Sequence, residues 1–422
     1  MQFKHKKKGR KLFTSRDRNH RIFHRYHPLR SAIGIILTLA IVSFLGIIGY
    51  NIVGPLVSRL HAEAETPTKT DDPFFEQSSE PVKTTEPVLL STAAPVTTDV
   101  TTMTSSVTAT TVHTSRFGAD STLAFFITPE TVSDLQLLDT AAEHCAALGY
   151  SAVVLPMKLS GGKLLYASTV KDATACAASA EEAPSPEDIL SVLDAHGLSG
   201  IAQIDLLTDN LFPAAFTDGS FLIPENQKRW LDKAESDGGK PWISPYSDHT
   251  RKYLSSLASE LMDAGFRSVI CHGIGFPKFF KGDESLLGKQ VTDQKRRQEA
   301  LTGVMNTISE KVPAAAFSFS LFDIINKKEE AFVPEEMHIR TVCMEIDLSK
   351  LKSPFIYNEK RYALGQLSDE EKVIELLGLS KQILGEINLI PCFIRGSLND
   401  DQLNTVIETA HSAGYSDIYI SD

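Results

Sequence analysis

Three carboxylates stand where this chain could do acid–base chemistry. Asp205 closes the apolar run GIAQIDLL (200–207), and Glu345 and Asp347 lie two residues apart in RTVCMEIDL (340–348). Residues i and i+2 of a strand project to one face, so Glu345 pairs with Asp347 and Gln203 with Asp205. Carboxyl groups facing each other across a cleft serve as proton donor and as nucleophile or base when a glycosidic bond is hydrolysed. The same acids have a plainer use, capping the helices that follow or pairing with Lys158 and Arg395. His272 ends the apolar part of FRSVICHGIGFP (266–277). An imidazole there suits a general base, and equally a side chain simply hydrogen-bonded among its neighbours. The only two tryptophans, Trp230 and Trp242, fall in RWLDKAESDGGKPWISPYSD (229–248). Their faces suit stacking on sugar rings, and they suit core packing as well.

These residues need a frame, and a repeated grammar supplies one. ALGYSAVVLPM (147–157), AHGLSGIAQID (195–205), AGFRSVICHG (264–273) and AGYSDIYIS (413–421) each run from a helix end through a glycine into a buried strand. Glycine there closes a helix in the left-handed conformation at no Cβ cost. The segments before them have helical period, as with Leu135, Leu138, Ala142 and Cys145, or Leu254, Leu257 and Leu261, or Leu403, Val406 and Ala410. Strands are expected at 122–128, 151–157, 200–207, 267–272, 315–322, 340–348, 388–394 and 417–421. Eight strands alternating with helices in about 300 residues predict an α/β fold, a (β/α)8 TIM-like barrel over 121–422. Its functional face is the C-terminal ends of the strands, where the polar candidates sit.

No glycine-rich phosphate loop follows any strand, so no nucleotide cofactor is expected. Five cysteines without a C-x-x-C signal neither zinc nor a dense disulfide framework. No second His or Cys stands at a strand end matching His272, so no metal is expected. Cys271, Cys343 and Cys392 lie in apolar runs and read as buried small hydrophobes.

The first 30 residues carry five Lys and six Arg against Asp17 alone, about +10, whereas the whole chain is −11. The remainder is therefore strongly acidic, which excludes direct attraction to nucleic acid. Residues 31–53, SAIGIILTLAIVSFLGIIGYNIV, hold no charge and are long enough to cross a bilayer. With the basic arm at 1–30 on one side, a single-pass signal-anchor is expected in the cell membrane, N-terminus cytoplasmic and the rest outside. A cleaved signal is the competing reading, since His61-Ala62-Glu63-Ala64 offers an A-x-A site, but 23 apolar residues exceed a signal core. Residues 54–120 are Thr/Ser/Pro-rich with few aromatics and read as a disordered extracellular stalk.

The run PWISPYSDHTRKYLSSLASELMDAGFRSVICHGIGFP (241–277) resembles a bacterial glycoside hydrolase domain family with a TIM-barrel fold. In that family a W-x-N-P-Y segment leads into a helix ending A-x-x-G-F-D, followed by a strand near I-x-F-D-Y-V-R-F-P. VVLPMKLSGGKLLYAST (153–169) and PCFIRGSLNDDQLNTVIETAHSAGY (391–415) match two further family elements in the right order. The resemblance implies a carbohydrate partner, such as a cell-wall glycan, met at the barrel mouth by Lys158, Gln203, Trp230, Trp242, His272 and Arg395. Trp242, Pro245, Tyr246, Gly265, Phe276 and Pro277 keep the family's scaffold. Its polar face departs. The strand-four Asp falls on His272, the Tyr on Gly273 and the Arg on Gly275. The strand-two Asp falls on Pro156, although the Lys is kept as Lys158, and the strand-seven Trp, Gln and Asp fall on Cys392, Ile394 and Arg395. A histidine cannot form the glycosyl ester that an aspartate nucleophile would form. The expectation is a glycan-binding domain with reduced or no catalysis, or, alternatively, an active glycosidase with Asp205, Glu345 and Asp347 as relocated acids.

Overall fold

A computed structural model describes residues 117–118 and 120–422. The basic arm, the apolar segment 31–53 and nearly all of the stalk lie outside the described residues. Among the described residues no helix is long and apolar enough to cross a membrane.

Eight parallel strands close into a barrel: β1 (Thr122–Phe126), β2 (Ala152–Lys158), β3 (Ser199–Asp205), β4 (Ser268–His272), β5 (Ala315–Ser320), β6 (Thr341–Asp347), β7 (Asn388–Ile394) and β8 (Asp417–Ser421). Each pairs with its sequence neighbours, and β8 returns to pair with β1. All eight match the expected strands to within a few residues. Alternation along them divides the core. Ala124, Val154, Ile201, Ile270, Ala316, Cys343, Cys392 and Tyr419 fill the barrel interior, while the residues between them pack on the helices outside. Small side chains, Ala124 and Ala316, share this interior with the Tyr419 ring.

The covering helices start where the sequence offers a cap. Asp134 accepts from the Gln136 and Leu137 amides at the head of α1 (Leu135–Ala147). Ser185 and Asp188 form a reciprocal box on α2 (Pro186–Ala195), and the Ser247 hydroxyl accepts from Thr250 N–H on α3 (Asp248–Ala264). Asp293, Ser368 and Asn399 do the same for α4 (Gln294–Lys311), α5 (Asp369–Leu384) and α6 (Asp400–Ser412). Each such cap is worth about 1 kcal/mol. The glycines that end the repeated pattern adopt positive φ, +112° at Gly265 and +96° at Gly414, as a left-handed helix stop requires.

Two of the long loops on the C-terminal side carry further structure. The β3–α3 connection holds Trp230 and Trp242. Together with Phe221, Tyr246, Phe276 and Phe279 they form a small aromatic core beside the barrel mouth. The β6–α5 connection carries an antiparallel hairpin, Phe355–Tyr357 with Lys360–Tyr362, that sequence patterning did not reveal. Cys271, Cys343 and Cys392 are buried, as their apolar runs indicate.

Candidate active site

The site is built on adjacent barrel strands. Asp205 lies directly opposite His272 in the β3–β4 register, and β6 delivers Glu345 opposite Ser320 of β5. Asp205, His272 and Glu345 occupy interior-facing positions at the C-terminal rim, so their side chains converge. His272 Nδ1 lies 3.7 Å from Asp205 Oδ2, and its Nε2 lies 3.9 Å from Glu345 Oε1. One imidazole thus stands between the two carboxylates.

Each acid is held from behind. The Thr208 amide donates to Asp205 Oδ1 at 3.2 Å and the Thr208 hydroxyl donates to the same oxygen. Ser318 Oγ donates to Glu345 Oε1 at 2.7 Å. Burial alone would raise the Asp205 carboxyl. The neighbouring His272 imidazole, the hydrogen bonds from Thr208 and the Lys158 charge outweigh it and hold Asp205 below its ordinary range. The Asp205 contact raises His272 above its ordinary value against the opposing effect of burial, and Glu345 and Glu329 add to the rise. The two shifts reinforce each other, each favouring the charged form of its group.

Gly273 makes this arrangement possible. Its φ is +67°, and a Cβ there would overlap the Asp205 carboxylate. Any side chain at 273 would therefore push Asp205 off His272.

Lys158 ends β2 beneath this layer. Its Nζ donates to the Asp205 backbone carbonyl at 2.7 Å and lies 3.0 Å from Asp209 Oδ2, an ionic approach rather than an aligned hydrogen bond. Both side chains are fully buried. Asp209 Oδ1 accepts from the Leu211 and Phe212 amides, so the pair fixes the chain leaving β3. Lys158 is thus a support of the mouth and has no free face for a ligand.

A cleft of about 290 Å³ opens beside His272. Thr208, Gly273, Phe276, Ser318 and Ser320 line it, with three carboxyl side chains, Asp323, Glu329 and Glu345. Glu329 is the site residue that sequence reasoning missed. It follows a short helix, Leu321–Ile325, in the charged run NKKEEAF, which reads as a solvated loop. Its burial, with Asp323 and Glu345 close by, pushes the Glu329 carboxyl up to about 7, with His272 opposing. Glu329 therefore shares its cleft with Glu345 and titrates close to neutrality, where a carboxyl can give up or take a proton. A larger hollow lies between the β2–α2 loop and α3 and one of similar size around Arg395, and neither reaches this chemistry.

The other expected site residues go elsewhere. Asp347 accepts from the Ser349 amide at 2.9 Å and lies 3.2 Å from Lys350 Nζ, so it is spent on the turn after β6. Arg395 Nη2 donates to Asp400 Oδ1 at 2.6 Å, beside the head of α6. Trp230 is 2% exposed, with Nε1 donating to Asp283, and has no face to offer a sugar. Trp242 is half-buried in the same aromatic core and donates to Asp232. Neither tryptophan lines the cleft. Gln203 sits in the barrel interior one layer below Asp205.

An eight-stranded parallel barrel with carboxyl groups and an imidazole gathered at its C-terminal mouth has the form of a (β/α)8 barrel with its polar groups at the usual functional face. A family model described as "Putative glycosyl hydrolase domain" matches residues 124–361, more than half of the chain, and the chain belongs to that family. Similar solved structures include a hypothetical protein from Ruminiclostridium thermocellum, 18% identical, covering 48% of this chain and 99% of that one at a TM-score of 0.38. The glycoside hydrolase domain of PelA from Pseudomonas aeruginosa is 13% identical, covering 71% and 94%, with a TM-score of 0.35. Trehalose-6-phosphate hydrolase from Bacillus licheniformis is 12% identical, covering 71% and 64%, with a TM-score of 0.43. Such low scores say nothing about substrate. No curated protein matches the sequence.

Proposed function

We propose that the barrel mouth binds a glycan of the cell envelope or surroundings without cleaving it, and that residues 31–53 anchor the domain at the cell surface. One observation carries the binding reading. Asp205 and Glu345, the acids that would have to flank a scissile bond, have the His272 imidazole standing between them at 3.7 and 3.9 Å. A sugar cannot occupy that space while His272 does. What remains open is a cleft to one side, whose wall includes hydroxyl and carboxyl side chains able to hydrogen-bond a sugar. The basic arm and the uncharged 23-residue segment support anchoring, and the acidic remainder suits display outside the cell.

A second reading rests on a separate observation. Glu345 and Glu329 line the same cleft, and the raised Glu329 carboxyl suits a proton donor beside a second carboxyl group, the pair that glycoside hydrolysis uses. The two readings separate on incubation with a polysaccharide and peptidoglycan panel. Binding without new reducing ends supports the first. Release of reducing ends that Glu345→Gln abolishes supports the second and ends the first.

A further inference from the structure

The cleft has an imbalance of charge that its surroundings do not correct. Three carboxyl side chains line it against one imidazole, and neither lysine nor arginine contributes to its wall. The nearby cations are engaged elsewhere. Lys158 serves Asp209, and Arg297 is clamped by Glu330 while its guanidinium lies over the Phe276 ring. Lys328 lies 3.8 Å from Asp323 and is 69% exposed, so its charge is largely screened. His272 is matched by Asp205 and Glu345. Glu329, which faces Asp323, Glu345 and His272, has no hydrogen bond to its carboxyl among the described residues, and it relieves the crowding by keeping a proton. A carboxyl in that condition ionises readily when a positive charge arrives beside it. The acids are not disposed as metal ligands among the described residues, so the geometry points to an organic cation.

We propose that this cleft selects a sugar carrying a free ammonium group, an unacetylated 2-amino-2-deoxyhexose unit, over its N-acetylated or carboxylated counterparts. The proposal rests on the glycan-binding reading above and names the sugar class for the same site. A volume of about 290 Å³ has room for about one sugar ring. The ammonium donates to Glu345 and Glu329, and Glu329 releases its proton to solvent as the cation seats. An acetamide brings no charge to offset the carboxylates, and a uronate adds another of the same sign.

The test uses the full chain in detergent micelles, with calorimetric titration at about pH 6, where an amine of this class is charged. The ligands are a glucosamine tetramer, an N-acetylglucosamine tetramer and a galacturonate tetramer. The glucosamine tetramer should bind at least tenfold tighter than the others, with a buffer-dependent heat that reports the released proton. Glu329→Gln should weaken it about tenfold, the worth of one charge-assisted bond, and remove that heat, with thermal unfolding confirming an intact fold. Equal or tighter binding of the N-acetylated or acidic tetramer overturns the proposal and leaves the glycan-binding reading standing. Selective binding that neither Glu329→Gln nor Glu345→Gln weakens assigns the attraction to the acidic surface at large and also overturns it. No binding by any tetramer removes both.

Discussion

Glu329→Gln should make the fold more stable at alkaline pH while leaving it unchanged under acid conditions. In the folded chain the Glu329 carboxyl is raised from 4.5 to about 7, with burial first and the Asp323 and Glu345 charges next as causes. Below its ordinary value the group is protonated in both folded and unfolded chains, so it contributes no difference. Between 4.5 and about 7 the folded state keeps a proton that the unfolded chain gives up, and stability falls as pH rises. Above that range both states are ionised and the folded state bears the whole repulsion. A rise of that size corresponds to about 3 kcal/mol, and the partly open position trims it to about 1–2 kcal/mol through solvent screening. Glutamine removes the charge at nearly constant shape. Urea unfolding followed by fluorescence of Trp230 and Trp242 should give that gain at about pH 8.5 and no difference at about pH 4. Equal stability at the alkaline pH, or a loss there, would refute the placement of Glu329 among like charges.

Gly273→Ala should cost about 1–2 kcal/mol for a side chain in the left-handed region, and by displacing Asp205 it should lower the imidazole titration of His272 seen by NMR. Lys158→Met should cost about 3–5 kcal/mol by stranding buried Asp209, and the Lys158→Met/Asp209→Asn double variant should recover most of it, as denaturation curves would show. Glu260 accepts from the Tyr166 and Ser168 hydroxyls and from both the amide and the hydroxyl of Thr169. Glu260→Ala should therefore raise hydrogen exchange across 166–169 while leaving the barrel strands protected. His249 contacts Asp172 and Asp218 through its two ring nitrogens and is raised against the effect of burial by bonds to both acids. Its contribution is present in full below about 6.5 and is lost as pH climbs through the raised folded value, so His249→Gln should flatten the fall of the unfolding midpoint above that pH.

The barrel was legible because two periodicities and one punctuation mark agreed. Strand runs such as SAVVLPM are buried on both faces, helices present an apolar stripe, and Gly149, Gly197, Gly265 and Gly414 stop the helices with positive φ. The site was legible only in part. Strand parity places Asp205, His272 and Glu345 on one face, and those three do converge. Parity also puts Asp347 beside Glu345, yet it says nothing of the turn after β6, where Ser349 and Lys350 claim that carboxylate. Arg395 was lost in the same way, to Asp400 in the next helix's first turn. Trp230 sits in a loop too long for any period to orient, and the apolar ring went to a local core. Glu329 left no mark because its character comes from burial in the folded cleft and from the Asp323 and Glu345 charges that the fold brings beside it. The anchor and stalk rest on composition alone.

The account turns on whether the cleft beside His272 holds a glycan that it does not cut. The most direct measurement is a two-dimensional NMR titration of the His272 imidazole with oligosaccharides, read alongside an assay for new reducing ends. The account predicts saturable shifts at His272 that Glu345→Gln weakens, with no reducing ends formed. Oligosaccharides that leave His272 untouched, or that are hydrolysed in a Glu345-dependent manner, would contradict it.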